Sequence, residues 1–190
     1  MTNKHTITKL SFAAALLFAA SGLARAAGPF AVTSTAFKDG TMLATKNAGN
    51  IKGNPNCVGE NVSPPLSWSN APAGTRSYAL LMTDPDGALG LGVDHWIAYG
   101  IPATVTGFAE GEVGKPSDKY VGGKGSRGES IYLGPCPPPG TGSHHYIFTL
   151  IATDLEPNAL APGLTHTELV SQLKGHAKAG ASIVGLFGRP

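Results

Sequence analysis

His144-His-Tyr-Ile-Phe-Thr-Leu-Ile-Ala-Thr-Asp154 is the stretch on which the fold turns. It carries β-branched and aromatic residues throughout and no glycine or proline, the composition of a strand that packs on a pleated surface. Working outward, Tyr78–Thr83 is a second apolar strand, and Val93–Tyr99 a third that ends at Gly100-Ile-Pro102. Ala181–Phe187 closes the chain as a strand. Phe30–Phe37 alternates weakly and opens it, and Leu66–Ser69 and Thr104–Phe108 are shorter pieces. One segment has helical spacing: Leu169, Leu173 and Ala177 recur within Thr165–Lys178, and Thr165 with Glu168 three residues on forms a capping-box pattern. Many strands, few helices and no alternation of strand and helix predict an all-β or β-rich sandwich.

The punctuation agrees. Gly 26 and Pro 15 in 190 residues suit short strands and turns rather than long helices. The first residues read differently from the rest. Lys4 and Lys9 precede an apolar run from Leu10 to Ala20, and Ala24-Arg25-Ala26 follows as a small-x-small site. This is the pattern of a secretory signal peptide over residues 1–26, cleaved before Ala27. Its apolar run is shorter than the roughly 20 residues that span a bilayer. Residues 27–190 then suit one domain with one core.

Charge narrows the partners. Lys and Arg total 14 against 12 Asp and Glu, a net +2, with no basic face to suggest nucleic acid. Cys57 and Cys136 both fall in the exported part and are read as one disulfide, since an oxidising compartment favours pairing. Two lone cysteines lack the paired spacing of a zinc site.

Two loops need a reading. Lys38–Pro65 is long, polar and rich in Gly, Asn and Pro, so it is either functional or held down, with Cys57 as the anchor. Gly111–Gly128 reads as a charged surface loop, with Lys115, Lys119, Lys124 and Arg127 on a solvated face. Within it Gly123-Lys-Gly-Ser-Arg-Gly128 matches a dinucleotide fingerprint. The residues that follow it run into Pro137-Pro-Pro139 and cannot form the required helix.

Three short segments carry the chemistry: Asp84-Pro-Asp86, Asp94-His95-Trp96, and Gly134 to Tyr146. Strand parity places His144 and Tyr146 on one face and His145 on the other. The same parity puts His95 with Val93, Ile97 and Tyr99, and Trp96 opposite. Imidazoles and a phenol can donate hydrogen bonds to phosphoryl oxygens, and a carboxylate such as Asp84 favours a charged imidazole and orients it. Backbone N–H groups in the Cys136 loop, held open by prolines, can complete an anion nest. Asp86, or Asp84 itself, can meet an ammonium or hydroxyl of the same ligand.

Catalytic readings find less. No serine sits in a Gly-x-Ser-x-Gly elbow, and Ser143 and His144 are strand neighbours that face opposite ways. The Asp84 loop has Leu89 where an EF-hand needs glycine and His95 where it needs glutamate. There is no His-Glu-x-x-His. Neither a metal nor a cofactor is expected.

Asn61-Val-Ser-Pro-Pro-Leu-Ser-Trp68, Asp84-Pro-Asp86, His95-Trp96, the Gly134–Tyr146 run and Gly185-Leu-Phe-Gly-Arg189 together resemble the phosphatidylethanolamine-binding protein family, most of all its bacterial Raf-kinase-inhibitor-like branch. The match covers about Phe30 to Arg189. The resemblance implies an antiparallel β-sandwich with a few peripheral short helices and a small anion pocket at one end. It places Asp84, His95, His144 and Tyr146 at the pocket's side-chain positions. Pro137 and Pro138 fall at the mouth, and Cys136 at the residue whose backbone N–H meets the anion. Three positions depart from the pattern. Ala88 replaces a common proline, His145 a common arginine, and Cys136 a frequent glycine.

The expected function is an exported, non-enzymatic binding protein for a phosphate-bearing head group, from a phospholipid or a phosphorylated small molecule. Two alternatives stay open at this point: a protein–protein modulator such as a protease or kinase inhibitor, and a hydrolase using the Asp/His set as acid and base. The kinase, protease and flowering roles found within the family depend on particular partners and do not transfer by fold.

Overall fold

The computed structural model describes residues 1–2 and 28–190; the signal-peptide reading falls largely on residues outside these. Two sheets face each other. The smaller has the order β1 (Ala31–Thr33), β3 (Leu66–Ser69), β6 (Gly107–Phe108). The larger has the order β2 (Thr41–Met42), β9 (Ala177–Arg189), β8 (Gly142–Thr153), β4 (Ser77–Asp84), β5 (Val93–Pro102), β7 (Val121–Gly122). All pairs are antiparallel except β2 with β9. The β-rich sandwich expected from the pattern is what forms.

The middle strands explain the apolar runs. Along β4, Tyr78, Leu80 and Met82 enter the core between the sheets with Trp68, Phe108 and Phe148. Ala79 and Leu81 enter a second core with Ile97, Tyr99, Leu169 and Leu173. A strand covered on both faces reads as continuous hydrophobicity rather than alternation. A single turn, α1 (Gly87–Gly90), follows β4, and the second cover is helix α2 (His166–Leu173), which lies on the outer face of the large sheet. Its start is as read: the Thr165 hydroxyl accepts from Glu168 N–H, and the Glu168 carboxylate accepts from Thr165 N–H at 2.8 Å.

Several elements differ from the sequence reading. The opening strand covers three residues only, because the Ser34 hydroxyl donates to Pro65 O and accepts from Ala36 N–H, turning the chain. α2 stops at Leu173, and Ala177 begins β9 instead of a further helical turn; Gly175 sits between them at φ +82°. β5 does not end at Gly100 but passes through a bulge there. Gly100 has φ +61°, and a Cβ would stand 2.1 Å from Pro157 O, so only glycine fits. The Gly111–Gly128 segment is not wholly a surface loop. It contributes a 3-10 turn (Glu112–Gly114), strand β7 and the buried side chains of Val113 and Tyr120.

The long Lys38–Pro65 connection is held down. Cys57 and Cys136 form a disulfide, Gly49 N–H donates to Pro135 O, and the Asn47 amide donates to Val62 O. Arg189, at the end of β9, reaches back to Pro55 O at 3.1 Å.

Candidate functional site: a cavity at the ends of β4, β5 and β8

β4 ends on Asp84, whose side chain is only 4% exposed. Its Oδ1 accepts from the backbone N–H of Asp86 and of Gly87, each at 3.0 Å, which fixes the turn that follows. Gly87 is required there, since a Cβ would lie 2.7 Å from Val93 Cγ2. Asp84 Oδ2 accepts from His144 Nδ1 at 2.8 Å and lies 3.9 Å from His95 Nε2.

His144 and Tyr146 leave β8 on the same face, as parity requires, and their rings stack at a centroid separation of 6.4 Å. The Thr141 hydroxyl donates to Pro138 O at 2.8 Å and lies 3.2 Å from His144 Nε2.

His95 arrives by a different route. In the pairing of β4 with β5, Met82 faces Trp96 and Thr83 faces Asp94, so His95 is an extra, bulged residue. The bulge turns its ring onto the same side as Trp96, edge-on to Tyr146 at 5.2 Å. The expectation that His95 shares a face with Ile97 and Tyr99 is therefore wrong: parity is lost where one residue has no partner. His95 Nδ1 donates to Leu133 O at 2.8 Å, which leaves Nε2 toward the cavity. Burial holds its pKa below the usual 6.5, opposed by the Leu133 carbonyl and the Asp84 charge.

Tyr146 stands between the two imidazoles, fully buried, and its hydroxyl has no hydrogen-bond partner among the described residues. Burial first, and the Asp84 charge second, raise its pKa, so the phenol remains a donor.

These groups open on a cavity of about 400 Å³. Asp84, His95, Cys136, Pro137, Pro138, His144 and Tyr146 all line it. Asp86 does not: its carboxylate points outward, accepting from the backbone N–H and ring of His145 at 2.8 Å each. Those bonds lower its pKa. Asp86 is thus not brought together with the other candidate residues, because the strand neighbour facing away from the pocket takes its carboxylate. Four further lining residues carry no signal of their own in the sequence: Asn54 and Asn56 from the pinned loop, and Ser126 and Arg127 from the segment read as solvated.

The wall behind Cys136 is braced. The Asn61 amide donates to Tyr132 O at 3.0 Å and accepts from Gly134 N–H at 2.8 Å, and the Tyr132 hydroxyl donates to Asn47 O. Among the described residues, no group of three or more His, Cys, Asp or Glu is arranged to hold a metal ion. No helix there is long and apolar enough to cross a membrane.

Comparison with known proteins bears on this geometry. The family model for phosphatidylethanolamine-binding protein matches residues 33–188. The chain belongs to the phosphatidylethanolamine-binding protein family. It is 36% identical over 148 residues to a UPF0098 protein of Methanothermobacter thermautotrophicus, covering 77% of this chain and 95% of that one. It is 37% identical over 164 residues to LppC of Mycobacterium tuberculosis, named as a candidate lipoprotein, covering 86% and 75%. The crystal structure of Escherichia coli YbcL, described as a member of the mammalian PEBP family, superposes with a TM-score of 0.76 at 33% identity. That superposition covers 85% of this chain and 99% of YbcL.

Proposed function

We propose that the protein is an exported, non-enzymatic binding protein that captures a phosphate-bearing head group in this cavity. One observation carries the reading: the buried Tyr146, whose hydroxyl has no partner among the described residues, lines the cavity between two imidazole rings. A buried donor left open costs stability, and an acceptor from a ligand would satisfy it. A phosphoryl oxygen suits the position. Tyr146 donates one hydrogen bond, His95 donates a second once Nε2 is protonated, and the Arg127 guanidinium supplies charge at the wall.

The same geometry argues against acid–base turnover. Both oxygens of Asp84 are occupied, by two backbone N–H groups and by His144, and Cys136 is tied up in the disulfide. Export is supported by the N-terminal pattern and by that disulfide, which suits an oxidising compartment.

Titration calorimetry with inorganic phosphate and with O-phosphoethanolamine tests the proposal. Heat of binding is expected with the native chain and a weaker signal with His95→Ala and with Tyr146→Phe. Absence of binding to either compound, or equal binding by both variants, would overturn it. Turnover of a phosphoester that vanishes on loss of a histidine would favour the hydrolase instead.

A further inference from the structure

We propose that the Leu89–Leu91 turn beside the cavity is a membrane-insertion tip, which dips into a lipid bilayer so that a phospholipid head group can enter the pocket. The proposal rests on the phosphate reading of the cavity and commits that site to lipid as the source.

Leu89 is 103% exposed and Leu91 90%, whereas the next most exposed large apolar side chain within residues 28–190, Met42, stands at 52%. Two neighbouring leucines this exposed among the described residues are unusual for a folded surface. The backbone presents them deliberately. Ala88 and Leu89 both adopt left-handed conformations, at φ 51° and 61°, which non-glycine residues seldom take. The turn is closed by Gly92 N–H on Gly87 O at 3.0 Å and rooted by Asp84, the carboxylate that also orients His144.

Position and charge indicate what the tip meets. Gly87, Ala88 and Val93 line the cavity, so the leucines project from its rim. Arg127, exposed and also lining the cavity, is a cation suited to a phosphate-bearing surface. The apolar area is a convex point. It offers a small fraction of the roughly 1,200 Å² a specific protein interface needs. Insertion into an interface needs no complementary partner and scales with the apolar area buried. Tip and pocket would engage one surface together, each raising the effective concentration of the other.

The test uses the processed chain from an exporting host, sedimented with vesicles of phosphatidylethanolamine and phosphatidylglycerol, alongside calorimetry with inorganic phosphate. The native chain is expected to sediment. Leu89→Ser with Leu91→Ser is expected to reduce vesicle partition by about tenfold or more, given the transfer preference of two leucines. The same double variant should bind inorganic phosphate as the native chain does. Leu89→Trp combined with Leu91→Ser is expected to restore partition relative to the serine pair and to show a blue-shifted emission on vesicle addition. Vesicle binding that the serine pair leaves unchanged, or phosphate binding by a native chain that ignores vesicles, overturns the proposal. Leucine-dependent sedimentation without phosphate binding upholds the tip and removes the phosphate reading of the pocket.

Discussion

His144 Nδ1 lies 2.8 Å from Asp84 Oδ2, while the other oxygen of that carboxylate is held by two backbone N–H groups. One side chain thus sets both the ring that faces the cavity and the turn at its rim. Asp84→Asn keeps the shape but takes from the buried His144 Nδ1 the carboxylate oxygen that accepts from it. The expected cost is about 2–4 kcal/mol in urea unfolding, because a buried partner is stranded. Asp86→Asn, whose carboxylate bonds only the half-exposed His145, should change stability by less than about 1 kcal/mol.

Tyr146→Phe separates binding from folding. The hydroxyl it removes has no partner among the described residues, so unfolding midpoints should hold or rise slightly. Affinity for phosphate should fall about tenfold, the loss of one hydrogen bond to a charged acceptor. A large loss of stability would show that the hydroxyl is satisfied inside the protein.

His95 makes acid the vulnerable direction. Its pKa is lowered in the folded chain, so below 6.5 the unfolded chain takes up a proton that the folded chain refuses. Stability contributed by the neutral ring is complete above 6.5 and declines as pH falls toward the depressed folded value. His95→Gln should flatten that decline in unfolding curves recorded between neutral and mildly acidic pH. Binding runs the opposite way. Sulfate, which does not titrate there, should bind more weakly as pH rises past the point where Nε2 loses its proton, and His95→Gln should abolish the dependence.

The Cys57–Cys136 bond closes 79 residues of separation and anchors the cavity wall. Replacing both cysteines by serine should cost about 4 kcal/mol on the chain-entropy model, read from chemical unfolding. Phosphate affinity should fall with it, because Asn54 and Asn56 reach the cavity from the loop that Cys57 ties down.

Ala88 offers a further check. At φ 51° it holds a conformation that proline, fixed near −65°, cannot enter. Ala88→Pro should therefore cost more than about 1 kcal/mol, and Ala88→Gly should be neutral or mildly stabilising, by thermal unfolding.

Much of the molecule was legible in the order of its residues. The runs at Tyr78–Thr83 and His144–Asp154 became the two central strands, and two-residue parity correctly joined His144 to Tyr146. The Thr165–Glu168 box marked the start of α2, but nothing local distinguished Ala177 as strand, since its pairing with Thr153 is made across the sheet. The placement of His95 was hidden for the same kind of reason. A bulge is a property of two strands in register, and Asp94-His95-Trp96 read alone obeys parity. Asn56 reaches the cavity through a loop set by Arg189 and the disulfide, and Arg127 through one set by the bonds between Ser126 and Asp94.

The bulge at His95 has an evolutionary corollary. The ring sits outside the ladder's count, so its identity can drift without disturbing how Trp96 and Ile97 fill the two cores. Deleting a single residue between Val93 and Trp96 would be another matter. It would restore regular pairing, leave the sandwich intact, and take an imidazole out of the pocket in one genetic step.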